Sequence, residues 1–387
     1  MTKNISTLDR AVTIGYNRGG FLYYFFIFII MDTAQSLAFR KLLTEAIKRG
    51  ASDVHLTIGA HPMVRVDSTL RPLPNEEILT EEYLNIVIDG ILNPAQKEKL
   101  TRDRDVIFTT VFDEKIRSKV HVFYQEGFPV ISFHFFSMIV KTPQELGIEL
   151  NFDRFISAKS GLLIITGPRG SGRTTLTVGL LEHINRTQAV HIMMIEDPIE
   201  YNLNGNQSIV VQREVGSDIR TIGEGLTAAE QEDVDILYVS DVKNADQMRT
   251  ILELANSGMF VIVVFNTDSS TMALEKIVSF FGTNEQQHIR NLLAESLRGV
   301  IVQFILPKIG GGVVSIHEIL LNNSSVRTLI TSDKLNQIGQ LIKVSRAEGM
   351  TSIDHELAMR IRNNEILFEH ARTIAEDLQT LNTLIRT

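Results

Sequence analysis

Hydrophobic and polar positions along the chain follow two different rhythms. Between about residues 35 and 136, apolar side chains alternate with polar ones at the two-residue period of half-buried strands. Val54, Leu56 and Ile58 interleave with His55, Thr57 and Gly59, and Met63-Val64-Arg65-Val66 follows His61-Pro62. After a helix expected near residues 81–92, the alternation returns in residues 106–112, 119–124 and 130–136. Upstream, Leu37, Phe39, Leu42, Leu43 and Ile47 recur at helical spacing until Arg49-Gly50, where a glycine suits a helix end. This half reads as a small α/β domain over residues 31–136. Thr142-Pro143-Gln144-Glu145-Leu146-Gly147 then reads as a turn in a linker over 137–147.

Past residue 148 the strands become unbroken apolar runs, expected at 162–166, 190–195, 236–239, 260–265, 300–306 and 313–319. The last two flank Gly310-Gly311-Gly312, and everything from Ser324 onward reads as helical. Strands that alternate with helices call for a mostly parallel sheet, and such sheets gather ligands at the carboxyl ends of their strands. One of those ends is distinctive. Gly161-Leu162-Leu163-Ile164-Ile165-Thr166 runs directly into Gly167-Pro168-Arg169-Gly170-Ser171-Gly172-Arg173-Thr174-Thr175, the P-loop pattern with Arg173 where the lysine belongs. Glycines let successive backbone N–H groups turn inward around a phosphate, and the helix expected from about Thr174 adds the positive end of its dipole. Thr174 offers a hydroxyl to Mg²⁺. Arginine is longer, planar and forked, so it does not simply replace lysine. Two arrangements stand open for Arg173: a fork on phosphate, or a fold back onto a carboxylate such as Glu196 or Asp241 that plugs the site. Arg169 is read either as a contact to phosphate or a neighbouring subunit, or as a solvated loop residue. The plain alternative for the whole loop is a tight strand-to-helix turn without a ligand.

Two acidic strand ends accompany the loop. Ile195-Glu196-Asp197-Pro198-Ile199-Glu200 sets three carboxylates past one strand, and Asp235-Ile236-Leu237-Tyr238-Val239-Ser240-Asp241 ends another in Asp241, the layout of a Walker B element. In phosphoryl transfer such groups hold the shell of a Mg²⁺ ion or orient the attacking water. Each taken alone also fits a helix cap, so the combination with the loop carries the reading.

Composition acts by exclusion. With 387 residues, 44% hydrophobic and 22% charged, the chain has the make-up of a globular protein of two domains. A net charge of −8 argues against a general nucleic-acid binder, which needs basic surface to displace counterions. Zero cysteines exclude disulfides and thiolate zinc sites. Residues 21–31, FLYYFFIFIIM, form an apolar run shorter than the roughly 20 residues a membrane span takes. Met31-Asp32-Thr33-Ala34-Gln35 opens an ordinary amphipathic helix, so residues 1–30 are expected to be a non-native or disordered extension, with a membrane or partner anchor and a cleaved signal as the alternatives.

Together with Gly50-Ala51-Ser52-Asp53-Val54-His55-Leu56, Gln212-Arg213-Glu214-Val215 and Gly349-Met350-Thr351-Ser352-Ile353-Asp354, these segments resemble the type II/IV secretion ATPase family from about Met31 to the C-terminus. Within it they are most similar to the type IV pilus retraction branch. The absent cysteines fit that branch, because extension and secretion relatives commonly carry a four-cysteine zinc module. Ser325-Val326-Arg327-Thr328-Leu329-Ile330 is similar to its Ala-Ile-Arg-Asn-Leu-Ile-type helix, although Thr331-Ser332 follows in place of Arg-Glu. The resemblance implies an α/β protein with a PAS-like N-terminal domain over 31–136 and a RecA-like P-loop domain with a helical tail over 148–387. It also implies ATP and Mg²⁺ as cofactors, a hexameric ring, and a cytoplasmic place at the inner face of the inner membrane.

Carried over residue by residue, the resemblance assigns Gly167, Pro168, Arg169, Gly170, Ser171, Gly172, Arg173, Thr174 and Thr175 to nucleotide binding. Thr174 and Asp241 fall to the Mg²⁺ shell, and Glu196, Asp241 and Asn266 to catalysis. It also exposes departures. The family's P-loop lysine is Arg173, its Gly-Glu pair is Ser240-Asp241, its Arg-Asp pair is Lys243-Asn244, and its His-Thr box is Asn266-Thr267. Arginines that its N-terminal domain projects towards nucleotide align with Lys119, Gly127 and His134. Asp241 draws its charge back by one methylene, roughly 1.5 Å, and Asn266 cannot protonate. These changes point to a nucleotide-binding ring subunit with impaired hydrolysis that works with an intact paralogue, in a homo- or hetero-hexamer, on an inner-membrane pilus base protein. An active retraction motor and a scaffold without nucleotide are the alternatives.

Overall fold

The computed structural model describes residues 34–66, 69–112, 116–136, 140–146, 148, 152–156 and 159–386. The expected extension over 1–30 and the start at Met31 lie outside the described residues. The chain divides into two units, the first ending at Phe135 and the second beginning at Phe136.

The first unit has the helix α1 (Ala34–Lys48), the strands β1 (Asp53–Thr57), β2 (Met63–Val66) and β3 (Thr69–Pro72), the helices α2 (Glu81–Ile91) and α3 (Pro94–Asp103), and the strands β4 (Asp105–Phe112), β5 (Ile116–Gln125) and β6 (Phe128–Phe136). Its six-stranded sheet has the order β3-β2-β1-β6-β5-β4. The alternation seen in the sequence becomes one buried face: Val54 and Leu56 are buried and lie beside Phe133 and Ile131 of the antiparallel β6. Phe39 from α1 meets Phe112 and Phe133, with ring centroids 6.0 and 5.5 Å away, so the helix is fastened to two strands by one aromatic cluster. Phe133→Ala should therefore cost about 3–5 kcal/mol, seen as a shift of the urea midpoint for this unit; a loss below about 1 kcal/mol would show that the cluster does not carry the unit.

The sequence pattern did not predict α3. Leu100 is its one buried residue, so it has no apolar stripe. What starts it is local: Asn93 and Gln96 form a reciprocal capping box and Pro94 occupies the first turn.

The second unit begins with α4 (Asp153–Ile156), β7 (Gly161–Thr166), α5 (Arg173–Thr187), β8 (His191–Glu196), β9 (Ile209–Glu214), α6 (Ile222–Gln231) and β10 (Ile236–Val239). It continues through α7 (Ala245–Ser257), β11 (Phe260–Val264), α8 (Ser270–Ser279), α9 (Thr283–Ser296), β12 (Leu297–Pro307) and β13 (Val313–Leu321). The seven-stranded sheet runs β13-β12-β7-β11-β10-β8-β9, parallel except for β13. Successive residues of each inner strand face different cores. Leu162, Ile164, Met193, Ile195, Val261 and Val263 pack with α6 to α9, while Leu163, Ile165, Ile192, Met194, Phe260 and Ile262 pack with α4 and α5. Covering on both sides is why these strands read as solid apolar runs rather than alternations.

The helical tail comprises α10 (Ser324–Thr331), α11 (Ile338–Val344), α12 (Ile353–Arg362), α13 (Phe368–Ala371) and α14 (Leu378–Arg386), and adds Val326, Ile330, Ile338, Leu357 and Leu381 to the first of these cores. The fully buried Asp354 accepts hydrogen bonds from the Glu376 and Asp377 amides at 2.8 and 3.1 Å, which ties the end of the chain to α12. The linker turn at Thr142 to Leu146 lies along α5: a side chain at Gly179 would meet the Lys141 carbonyl, and Glu145 pairs with Arg186 at 3.1 Å. Among the described residues no helix is long and apolar enough to cross a membrane.

Candidate phosphate-binding site

Parallel pairing brings the carboxyl ends of β7, β8, β10 and β11 to one edge. Val239 is level with Ile195 and Val263, so Glu196, the Ser240-Asp241 turn and the segment from Phe265 to Thr267 follow together. Thr166 stitches the last of these to β7: its hydroxyl accepts from the Thr267 amide at 3.0 Å and lies 2.8 Å from the Thr267 carbonyl.

The loop between β7 and α5 has the shape that its glycines permit. Gly167 has φ +151°, and a Cβ there would stand inside contact distance of the Gln303 carbonyl and 2.6 Å from Ser171 Oγ. Gly172 has φ +79° and precedes the helix without a side-chain cap, so the first amides of α5 are left for a ligand or water. Gly170, at φ +80°, faces open space. Ser171 is 3% exposed, yet its Oγ has no hydrogen-bond partner among the described residues. A buried hydroxyl without a partner beside uncapped amides is the signature of a cradle for an oxygen-rich anion, and these residues fit a phosphate. Pro168 is half-buried and Arg169 exposed.

Of the two arrangements that its sequence leaves open for Arg173, the fold back onto a carboxylate is not the one seen here. Its Nη1 donates to the main-chain carbonyl of Phe265, at the end of β11, instead of reaching a carboxylate. Burial is the largest influence on the guanidinium and lowers its pKa, with Tyr238, Glu200 and Asp241 opposing. In this structure the guanidinium thus rests on a backbone oxygen just past β11. Thr174 stands in the first turn of α5, and the Thr175 hydroxyl lies 3.1 Å from that of Tyr201.

The acidic groups divide into a buried one and an exposed one. Glu196 is 1% exposed and accepts from Gln212 Nε2 at 2.8 Å; the same amide nitrogen reaches the Tyr201 carbonyl. Asp241 projects from the turn after β10 with its side chain 56% exposed, and Lys243 Nζ lies 3.7 Å from it and 2.9 Å from Asp197. The hydrogen bond to Asp197 raises the Lys243 pKa, so this lysine carries its charge between the two aspartates. Asn266 is exposed, between Phe265 and Thr267. Among the described residues no group of three or more histidine and acidic side chains converges as a metal site. Thr174 and Asp241, the residues that the sequence offers to a Mg²⁺ shell, lie at the first turn of α5 and in the turn after β10.

Sequence reading did not give roles to Gln212, Tyr201 or Lys243 as partners of these residues. Gln212 sits on β9, a strand that went unpredicted because it is an edge strand of three β-branched residues and three polar ones, only partly covered. Its place beside Met194 arises from sheet pairing, for which no local pattern exists.

Comparison with known proteins agrees with this geometry. The model of the type II/IV secretion system protein family matches residues 132–312. The type IV pilus retractation ATPase PilT of Pseudomonas aeruginosa is 33% identical over 346 residues, 89% of this chain and 98% of PilT. The type IV pilus ATPase PilU of the same strain is 26% identical over 351 residues, 90% of this chain and 92% of PilU. A crystal structure of the pilus retraction motor PilT with bound ADP superposes with a TM-score of 0.80 at 32% identity, covering 89% of this chain and 98% of that one. The second unit is accordingly a RecA-like ATPase domain following a separate N-terminal domain, and the chain belongs to the type II/IV secretion system ATPase family, in its PilT-like branch.

Proposed function

We propose that this chain is a nucleotide-binding ring subunit of the type IV pilus motor, that it hydrolyses ATP poorly, and that it works beside an intact PilT-like paralogue. The single observation that carries this reading is the Arg173 guanidinium, bonded to the Phe265 carbonyl while the glycine cradle around it keeps its phosphate-ready shape. Gly167, Pro168, Gly170, Ser171, Gly172, Thr174 and Thr175 would hold the phosphates of ATP or ADP, with Arg169 at the open rim. A bound Mg²⁺ ion would neutralise phosphate charge. Charge must be stabilised at the moment of transfer, and the positions that would do so are changed together: Arg173, Asp241 under Lys243, and Asn266. Glu196 keeps its place but is buried against Gln212. Binding and turnover are therefore affected unequally.

A hexameric ring in which the N-terminal domain, of PAS-like type, serves the neighbouring subunit's site would also lack forked cations at Lys119, Gly127 and His134. An intact paralogue would supply them. One strain of Pseudomonas aeruginosa carries both PilT and PilU, which gives precedent for two such ATPases in one cell. The working place on this reading is the cytoplasmic face of the inner membrane, on a pilus base protein.

The test sets ATP turnover beside calorimetric ATP and ADP affinity, and mass photometry with and without ATP and a PilT-like paralogue. Expected are measurable affinity, turnover far below about 1 s⁻¹, and hexamers. Turnover at or above that rate would identify an active retraction motor. Undetectable affinity at millimolar nucleotide, or a monomer under every condition, would leave a scaffold.

A further inference from the structure

Gln303 of β12 touches the phosphate loop at both of its ends. Val302 pairs with Thr166, which sets Gln303 level with Gly167, and its main-chain oxygen occupies the space that a side chain at Gly167 would need. Its side-chain Nε2 donates to the Ser171 carbonyl at 2.6 Å and stands 2.9 Å from where a Cβ of Gly172 would be. The other end of the amide, Oε1, lies 2.9 Å from Nε2 of His317, its cross-strand neighbour on β13. Both side chains are almost fully buried, at 3% and 2% exposure.

The Ser171 carbonyl settles which way the amide faces: it can only accept, so Nε2 of Gln303 turns to it and Oε1 turns to His317. Burial, with Arg360 adding to it, pushes the His317 pKa down to about 3, so the ring is neutral at physiological pH. Because Oε1 can only accept, the ring hydrogen sits on Nε2 and points at it. This second bond holds the amide with its Nε2 on Ser171. In a trans peptide the C=O and the following N–H point in opposite directions. Drawing the Ser171 carbonyl towards β12 therefore turns the Gly172 amide the other way, to the side where an anion would rest.

We propose that Gln303 is a positioning residue that orients the loop amides for a nucleotide phosphate, and that His317 acts through it by fixing its amide. The proposal rests on the nucleotide-binding reading above. In the full-length chain, Gln303→Leu is expected to weaken ADP about tenfold or more, the value of one well-placed buried hydrogen bond. It should also lower thermal stability, because the His317 N–H is left without an acceptor. The double variant Gln303→Leu/His317→Leu removes that stranded group, so stability should return while ADP affinity does not. A merely structural role would restore both together. Affinity of Gln303→Leu within twofold of wild type, or affinity that recovers with stability in the double variant, would overturn the proposal. If wild type itself binds no ADP at millimolar concentration, the nucleotide-binding reading falls, and amide exchange of the peptide 167–176 in the free chain decides the brace: faster exchange in Gln303→Leu supports it, and an unchanged rate refutes it.

Discussion

Gly167→Ala should abolish nucleotide binding and lower the stability of the second unit by several kcal/mol. The added methyl would collide with the Gln303 carbonyl, a main-chain atom held by its strand, and with Ser171 Oγ at 2.6 Å. Side-chain rotation cannot relieve the first contact, so β12 or the loop must move, and overpacking of this kind costs about 1–3 kcal/mol. A positive φ of +151°, which residues other than glycine rarely adopt, adds roughly 1–3 kcal/mol more. Both changes would pull the loop amides off their common centre. Gly170→Ala is the matched control: its φ of +80° is also positive, but nothing lies within 4 Å of the added methyl, so a loss of about 1–2 kcal/mol with binding retained is expected. The measurements are thermal unfolding and ADP calorimetry. Equal effects at the two positions would mean that strain, rather than the close approach of β12, governs the loop.

The second large effect concerns restoration. Arg173→Lys alone should raise ATP turnover little, because Asp241 would still lie with Lys243 and position 266 would still lack an ionisable ring. Groups that act as a unit contribute non-additively. The triple variant Arg173→Lys, Asp241→Glu, Asn266→His should therefore exceed the product of the three single changes, by about tenfold or more, since each restored part acts on the same transition state. Lys119, Gly127 and His134 would remain unlike the family's arginines and should keep the triple below a motor's usual rate. Steady-state turnover of wild type, singles and triple, with ATP affinity measured beside it, checks this. If Arg173→Lys by itself brought turnover near about 1 s⁻¹, the loss would lie in one residue rather than in a dismantled site.

These two outcomes also separate what was legible along the chain from what was not. Period-two alternation in the first unit and solid apolar runs in the second identified most strands, because burial on one face or on two leaves different marks on the residues themselves. The glycine-rich turn after β7 was equally legible: positive φ at Gly167, Gly170 and Gly172 demands glycine, so backbone geometry is written directly in residue type. Helix α3 and strand β9 were not legible, one lacking a stripe and the other lying at an edge.

The two-part α/β organisation, the glycine-rich turn after β7 and the residue types at Arg173, Asp241 and Asn266 could be read along the chain. Only the tertiary structure decided where those side chains go. Arg173 reaches the Phe265 carbonyl, 92 residues along the chain, and Gln303 reaches Ser171 from 132 residues away. Glu196 meets Gln212 on a strand that local pattern had not predicted, and Lys243 reaches Asp197 from 46 residues away. Local pattern records burial and backbone conformation, which each residue feels individually. Which carbonyl captures a buried guanidinium is a property of strand order, and strand order is set by packing across the whole sheet.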